Sequence, residues 1–178
     1  MEILMIKGSP HSRGTSALLA QRFEEGAAQA GHSVAVFEAA REEVHPCQGC
    51  DYCTKHGEKC VQKDAMQRLY PQLLSAELVV LVTPLYYYGM SAQLKKVVDR
   101  FYAVNQTLLD NPKKAVLLAT SGDADDWTMQ ALKAHYEALC RYLGWQDAGA
   151  LYAEGVYTRE EIEKTDYPGR AFALGKGL

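Results

Sequence analysis

The sequence predicts an α/β domain built on a doubly wound, five-stranded parallel sheet with helices on both faces. Three observations carry that expectation. Short apolar runs rich in β-branched residues and leucine recur five times, helical spacing fills the intervals, and the runs are apolar throughout instead of alternating. A strand apolar at every position is one covered on both faces, and helices in right-handed β-α-β crossovers supply the cover. With 178 residues, 48% hydrophobic and 23% charged, residues 1–178 have the composition of one globular domain with a full core.

In chain order the strands are Ile3–Ile6, Val34–Phe37, Leu78–Val82, Ala115–Ala119 and, more weakly, Ala148–Ala153. After the first strand, Leu18, Leu19, Phe23, Ala27 and Ala30 fall on one helical face. Leu94, Val97, Val98, Phe101 and Tyr102 do the same after the third, and Met129, Leu132, Tyr136, Leu139, Cys140 and Leu143 after the fourth. Cys140, beside Leu139 and Leu143, reads as a buried, inert thiol. Thr158 and Glu161 make a capping-box pattern before a short helix, and Pro168-Gly169 reopens the chain before a final segment ending in Leu174 and Leu178. The rhythm breaks at residues 41–64, a polar, Cys-rich insertion far longer than a β-α connection needs.

Composition narrows the function. Nineteen Lys plus Arg against 22 Asp plus Glu give a formal charge of -3, so no basic field draws in nucleic acid. No apolar run approaches the ~18 residues of a membrane span. Lys7 and Gly8 cut the first apolar run too short for an export signal, so the expected setting is cytoplasmic. In a reducing compartment cysteines serve metal binding, catalysis or burial, and four of the five lie between Cys47 and Cys60.

In an open parallel sheet the ligand sits beyond the carboxyl ends of the strands, where the strand order reverses. The segment after the first strand is Gly8-Ser9-Pro10-His11-Ser12-Arg13-Gly14-Thr15-Ser16, leading into a helix. Hydroxyls of Ser9, Ser12, Thr15 and Ser16 at the positive end of a helix dipole suit a phosphate, and the same residues also suit plain helix capping. The loop lacks the Gly-Lys-Ser/Thr ending of a Walker A loop and the G-x-G-x-x-G spacing of a dinucleotide fold. After the third strand, Tyr86, Tyr87 and Tyr88 stand in a row in a loop that Pro84 and Gly89 are expected to hold out of regular structure. Three adjacent tyrosines cannot all face one core, so at least one is expected to meet a planar ligand or a partner subunit, the alternative being a plain surface patch. After the fourth comes Thr120-Ser121-Gly122-Asp123, small and rich in donors.

Gly8-Ser9-Pro10 with Gly14-Thr15-Ser16, and then Thr83 through Lys95, resemble the NADPH-dependent FMN reductase branch of the flavodoxin-like proteins over nearly the whole chain. The resemblance implies a flavodoxin-like fold with FMN as cofactor. It makes Ser9, Ser12, Gly14, Thr15 and Ser16 phosphate contacts. It places Pro84, Leu85, Tyr86, Tyr87, Tyr88 and Gly89 against the ring, with Thr120, Ser121 and Gly122 at a second ring edge. His11 and Arg13 depart from the pattern and are expected to face solvent. The implied activity carries electrons from NAD(P)H through FMN to a flavin, quinone or other small acceptor, in a homodimer. No catalytic side chain is assigned, because the cofactor carries the chemistry.

Cys47, Cys50, Cys53 and Cys60 are spaced C-x2-C-x2-C-x6-C. Three thiolates two residues apart wrap one face of a cubane cluster, whereas zinc sites usually converge from two separated pairs. The spacing is similar to that of the iron-sulfur flavoproteins. That resemblance implies a [4Fe-4S] cluster on these four residues and an electron carrier or redox sensor working between protein partners, with a ferredoxin-like donor among them. The alternatives are free thiols or a disulfide in a loop that covers the flavin or the dimer interface, and a structural zinc site.

Overall fold

The computed structural model describes residues 1–178. The elements in order are β1 (Glu2–Lys7), α1 (Thr15–Gln29), β2 (Ser33–Glu38), α2 (Tyr52–Lys55), α3 (Met66–Ser75), β3 (Leu78–Tyr86) and β4 (Gly89–Met90). There follow α4 (Ala92–Asp99), a 3-10 turn (Arg100–Val104), α5 (Asn105–Asp110), β5 (Lys114–Thr120), α6 (Gln130–Leu143), β6 (Gln146–Ala153), α7 (Arg159–Glu163) and α8 (Tyr167–Lys176). The sheet runs β2-β1-β3-β5-β6 with every neighbouring pair parallel. This is the flavodoxin-like doubly wound order, and it contains the five strands expected from the apolar runs.

Alternate residues of the central strands feed two cores. Ile3, Met5, Val80, Val82 and Leu118 pack against Leu19 and Phe23 of α1 and Ala171 of α8. Leu4, Ile6, Val79, Leu81 and Leu117 pack against Leu69 and Leu73 of α3, Leu94 and Val97 of α4, and Leu132 and Tyr136 of α6. Both faces of β1, β3 and β5 are therefore buried, which is why those runs lack polar alternation. Edge strand β6 exposes its first residues, and its sequence signal is correspondingly weak.

Three expectations change. The segment after β3 is a hairpin instead of an irregular loop: β3 continues to Tyr86, and the two-residue β4 returns antiparallel, pairing Tyr86 with Gly89 and Leu85 with Met90. Tyr87 and Tyr88 make the turn at φ of 45° and 63°. A tight hairpin needs left-handed backbone at both central positions, and non-glycine residues hold it at a cost of about 1 kcal/mol each. Tyr102, placed by periodicity on the buried face, is half-exposed, because the chain tightens into the 3-10 turn after Asp99 and shifts the helical phase. Pro168-Gly169 does not open the chain: Pro168 sits in the first turn of α8, where a missing N–H is tolerated. The capping box forms at α7, and Cys140 is buried, with burial pushing its thiol up.

Helices α1 and α8 meet through paired glycines. A Cβ on Gly26 would lie 2.1 Å from the Phe172 carbonyl oxygen, and one on Gly175 would lie 2.1 Å from that of Phe23. Gly175→Ala is expected to destabilise the fold by about 2 kcal/mol through overpacking, lowering Tm by roughly 4 to 8 °C. A calorimetric Tm equal to that of the native chain would contradict this backbone-to-backbone contact.

Candidate functional site

The carboxyl ends of β1, β3 and β5 open into a cleft of about 700 Å³. Its walls are residues 9–16, Pro84, Leu85, Tyr86, Thr120, Ser121, Gly122, Val156 and Tyr157. Specific contacts fix the spacing of these loops. A Cβ on Gly8 would stand 2.6 Å from both Leu94 Cβ and Ser91 Oγ, so only glycine lets the β1 loop sit on the start of α4. Ser91 Oγ donates to the Gly8 carbonyl at 2.8 Å and accepts from the Leu94 amide at 3.3 Å, capping α4. Thr83 Oγ1 accepts from the Ser91 amide at 2.9 Å and closes the hairpin. Thr15 Oγ1 donates to Thr120 Oγ1 at 3.0 Å, joining the first loop to the third. The Ser121 amide bonds the Ala153 carbonyl and the Val156 amide bonds the Ser121 carbonyl, which draws in the chain after β6.

The amino end of α1 is left uncapped. Its N-cap is Gly14, no side chain accepts from the first-turn amides, and no acidic residue lies in that turn. The hydroxyls are thus not spent on capping, and the orphan N–H groups and the positive dipole end stand at the cleft. His11 N–H bonds Ser9 Oγ at 3.1 Å and Gly14 N–H bonds the His11 carbonyl at 3.2 Å, curling the loop. His11 and Arg13 are exposed, as expected, and both also border the open cleft, where the curl of the loop sets them at the helix end. Arg13 brings a permanent positive charge with a planar set of donors.

Among the sequence candidates, Ser9, Ser12, Gly14, Thr15, Ser16, Pro84, Leu85, Tyr86, Thr120, Ser121 and Gly122 line this one cleft. Tyr87 and Tyr88 line an adjoining cavity of about 260 Å³ together with Leu85, Ser121, Gly122, Asp123 and Thr128. Gly89 lines neither and serves the hairpin ladder. Tyr88 rests on Trp127 with centroids 4.7 Å apart, while Tyr87 is fully exposed. Sequence reasoning missed Val156, Tyr157, Trp127 and Thr128. Tyr157 follows a weak edge strand and covers Gly122 so closely that a Cβ there would meet its ring at 2.9 Å. Thr128 is fully buried and its hydroxyl has no partner.

Cys47, Cys50, Cys53 and Cys60 line a second, small and partly open pocket of about 20 Å³ with Gly49, Tyr52, Arg100 and Tyr102. Cys53 is buried, Cys60 half-buried, Cys47 and Cys50 exposed, and all four are free thiols. Burial pushes the Cys53 thiol up, and the nearby sulfurs of Cys60 and Cys47 push in the same direction. No three His, Cys, Asp or Glu side chains converge as a metal-binding group. Four thiols line this one pocket, and thiolate is the donor type that holds an iron-sulfur cluster.

A buried ion pair pins this segment. Arg100 and Asp64 side chains are each 1% exposed. Arg100 Nη1 donates to Asp64 Oδ2 at 2.7 Å and to the His45 carbonyl at 2.8 Å, and Nη2 donates to Asp64 Oδ1 at 3.2 Å. Asp64 also accepts from the His45 and Met66 amides at 2.9 and 3.1 Å. The Glu58 carboxylate accepts from the amide and hydroxyl of Thr107, and Tyr102 donates to Asp51 at 3.3 Å. The long insertion is therefore tied down along its length onto residues 100–107. Burial alone raises the Asp64 carboxyl, but the Arg100 and amide hydrogen bonds outweigh it, and the net direction is down.

The NADPH-dependent FMN reductase family matches residues 1–153, and the chain belongs to that family. An iron-sulfur flavoprotein of Archaeoglobus fulgidus is 37% identical over 123 residues, 68% of this chain and 62% of that relative, so the match spans under two thirds of its length. An iron-sulfur flavoprotein of Methanocaldococcus jannaschii is 31% identical over 142 residues, 77% of this chain and 70% of its own. In fold, the chain is similar to the FMN-dependent NADH-azoreductase from Bacillus anthracis str. Ames Ancestor, solved in complex with FMN. The TM-score is 0.73 at 15% identity, covering 100% of this chain and 99% of the other.

Asp64→Asn leaves Arg100 buried without its counter-charge and is expected to cost about 3 kcal/mol at neutral pH. The depressed Asp64 pKa means its stabilisation is complete above the unfolded carboxylate value, about 4, and fades as pH falls through the lower folded value. Urea melts should therefore separate the two proteins at pH 7 and bring them together toward pH 2. A constant gap across that range would contradict the assignment.

Proposed function

We propose that the cleft binds FMN and that the chain is an NAD(P)H-dependent oxidoreductase delivering electrons to a small acceptor such as a flavin or quinone. The observation that carries this reading is the uncapped α1 terminus, ringed by Ser9, Ser12, Thr15 and Ser16 with Arg13 beside them. Free amides, hydroxyls and a guanidinium together recognise a phosphate dianion. The cleft volume lies in the range that holds drug-sized ligands, and its far walls, Pro84–Tyr86 and Thr120–Gly122, suit a flat ring. The family match and the FMN complex of the azoreductase support the same choice.

When bound, FMN supplies hydride acceptance and onward electron transfer. The protein's share is positioning. Residues 9–16 hold the phosphate, Gly122 lets backbone approach the ring, and the Tyr86–Tyr88 hairpin offers planar surface. No side chain has to abstract a proton, because the cofactor carries the chemistry. The fully exposed Tyr87 favours a second copy of the chain covering the hairpin.

The cysteine pocket favours a second reading, in which a [4Fe-4S] cluster on Cys47, Cys50, Cys53 and Cys60 exchanges electrons with FMN and with a protein partner such as a ferredoxin-like donor. The names of the Archaeoglobus and Methanocaldococcus relatives support it.

Titrating the apoprotein with FMN and with riboflavin tests the phosphate assignment. FMN is expected to bind at least about tenfold more tightly, roughly 1.4 kcal/mol, and Arg13→Ala is expected to narrow that gap. Equal affinity for both flavins would overturn the assignment. Oxidation of NADH or NADPH with a quinone acceptor is expected of the FMN-loaded protein, and no turnover with either nucleotide would remove the reductase reading.

A further inference from the structure

Arg100 does more than neutralise Asp64. Its two terminal nitrogens are occupied by the Asp64 carboxylate and the His45 carbonyl. Its Nε is buried and has no partner. Arg100 also lines the pocket formed by the four cysteines. A buried donor on a charged group is costly to leave unpaired, and the Tyr70 hydroxyl lies near the guanidinium without closing a hydrogen bond to Nε, so this N–H is open to a better acceptor.

We propose that Arg100 Nε–H donates a hydrogen bond to a sulfur of a [4Fe-4S] cluster held by Cys47, Cys50, Cys53 and Cys60 and so raises the cluster's reduction potential. The inference rests on the cluster reading given above. Four thiolates around a [4Fe-4S]2+ core leave about two negative charges, and reduction adds another, so a donor to sulfur stabilises the reduced form more than the oxidised one. The Asp64 ion pair fixes the plane of the guanidinium and therefore presets the direction of Nε–H. That pair also cancels most of the net charge of Arg100, which leaves the local N–H dipole as its contribution at the cluster. Cys53 is buried on the same pocket, so there the dipole acts with little water to screen it.

The test is an EPR-monitored redox titration of the anaerobically purified, cluster-loaded full chain, with iron counted per chain and Tm recorded. Two variants are compared with the native protein. Arg100→Met with Asp64→Asn removes the donor and both charges together, so no buried charge is stranded. Asp64→Asn alone keeps the donor and frees its positive charge. The double variant is expected to hold native iron with a reduced-to-oxidised ratio about tenfold lower at a given potential, equal to 59 mV for a one-electron couple. Asp64→Asn is expected to move the ratio the opposite way. A purely structural ion pair would shift Tm in both variants without opposite shifts in potential. A loaded double variant with the native potential would overturn the Arg100 assignment alone, whereas a native chain that binds no iron under anaerobic reconstitution would overturn the cluster reading and this assignment together.

Discussion

The position of β1 between β2 and β3 is the constraint from which the rest follows. Chain leaving β1 enters α1 on one face of the sheet, and chain leaving β3 enters α4 on the other. The two loops must part company at the carboxyl edge, and a crevice opens where they separate. Nothing in that geometry requires a given loop chemistry. What the sequence adds is an α1 start without a cap, a hairpin that carries three tyrosines, and small residues at the end of β5. The crevice thereby acquires a positive, donor-rich end and a planar, apolar one.

Helix α4 joins this crevice to the cysteine pocket. Its first turn is capped by Ser91, which also grips Gly8 of the β1 loop, and the residue after its last turn is Arg100. Eight residues of helix span about 12 Å, so one short rigid element sets the distance between the two sites. The buried Arg100–Asp64 pair then locks the far end of the 41–64 insertion onto that element. Because breaking one partner strands a charge in the interior, the pair acts as a specific latch more than as a source of net stability.

The fold was legible where burial on both faces left an unbroken apolar run, as in β1, β3 and β5. Edge strand β6 gave a weak signal because water reaches part of it. The hairpin was not legible, since Tyr87 and Tyr88 hold left-handed backbone that usually advertises itself through glycine or asparagine. Among site residues, the loop at α1 was readable from its hydroxyls. Arg13 is at the surface, as a lone charge in a loop suggests, but its place at the rim of the cleft depends on the curl of residues 9–14, for which the sequence carries no motif. Arg100 and Asp64 were invisible for a related reason: pairing across 36 positions of sequence leaves no local pattern, and charged residues are normally assigned to solvent. Tyr157 reaches the cleft through the Val156–Ser121 backbone bond, which no motif announces.

The central claim is that one crevice holds a flavin mononucleotide, and the second reading proposed above adds iron at the cysteine segment beside it. Cofactor content per chain, measured on anaerobically purified protein supplied with FMN, iron and sulfide, tests this most directly. The account predicts one FMN and about four irons per chain, with flavin bands superimposed on broad cluster absorbance. A chain that retains no flavin at saturating FMN would contradict the claim at its foundation, and zinc in place of iron would contradict it at the cysteine pocket.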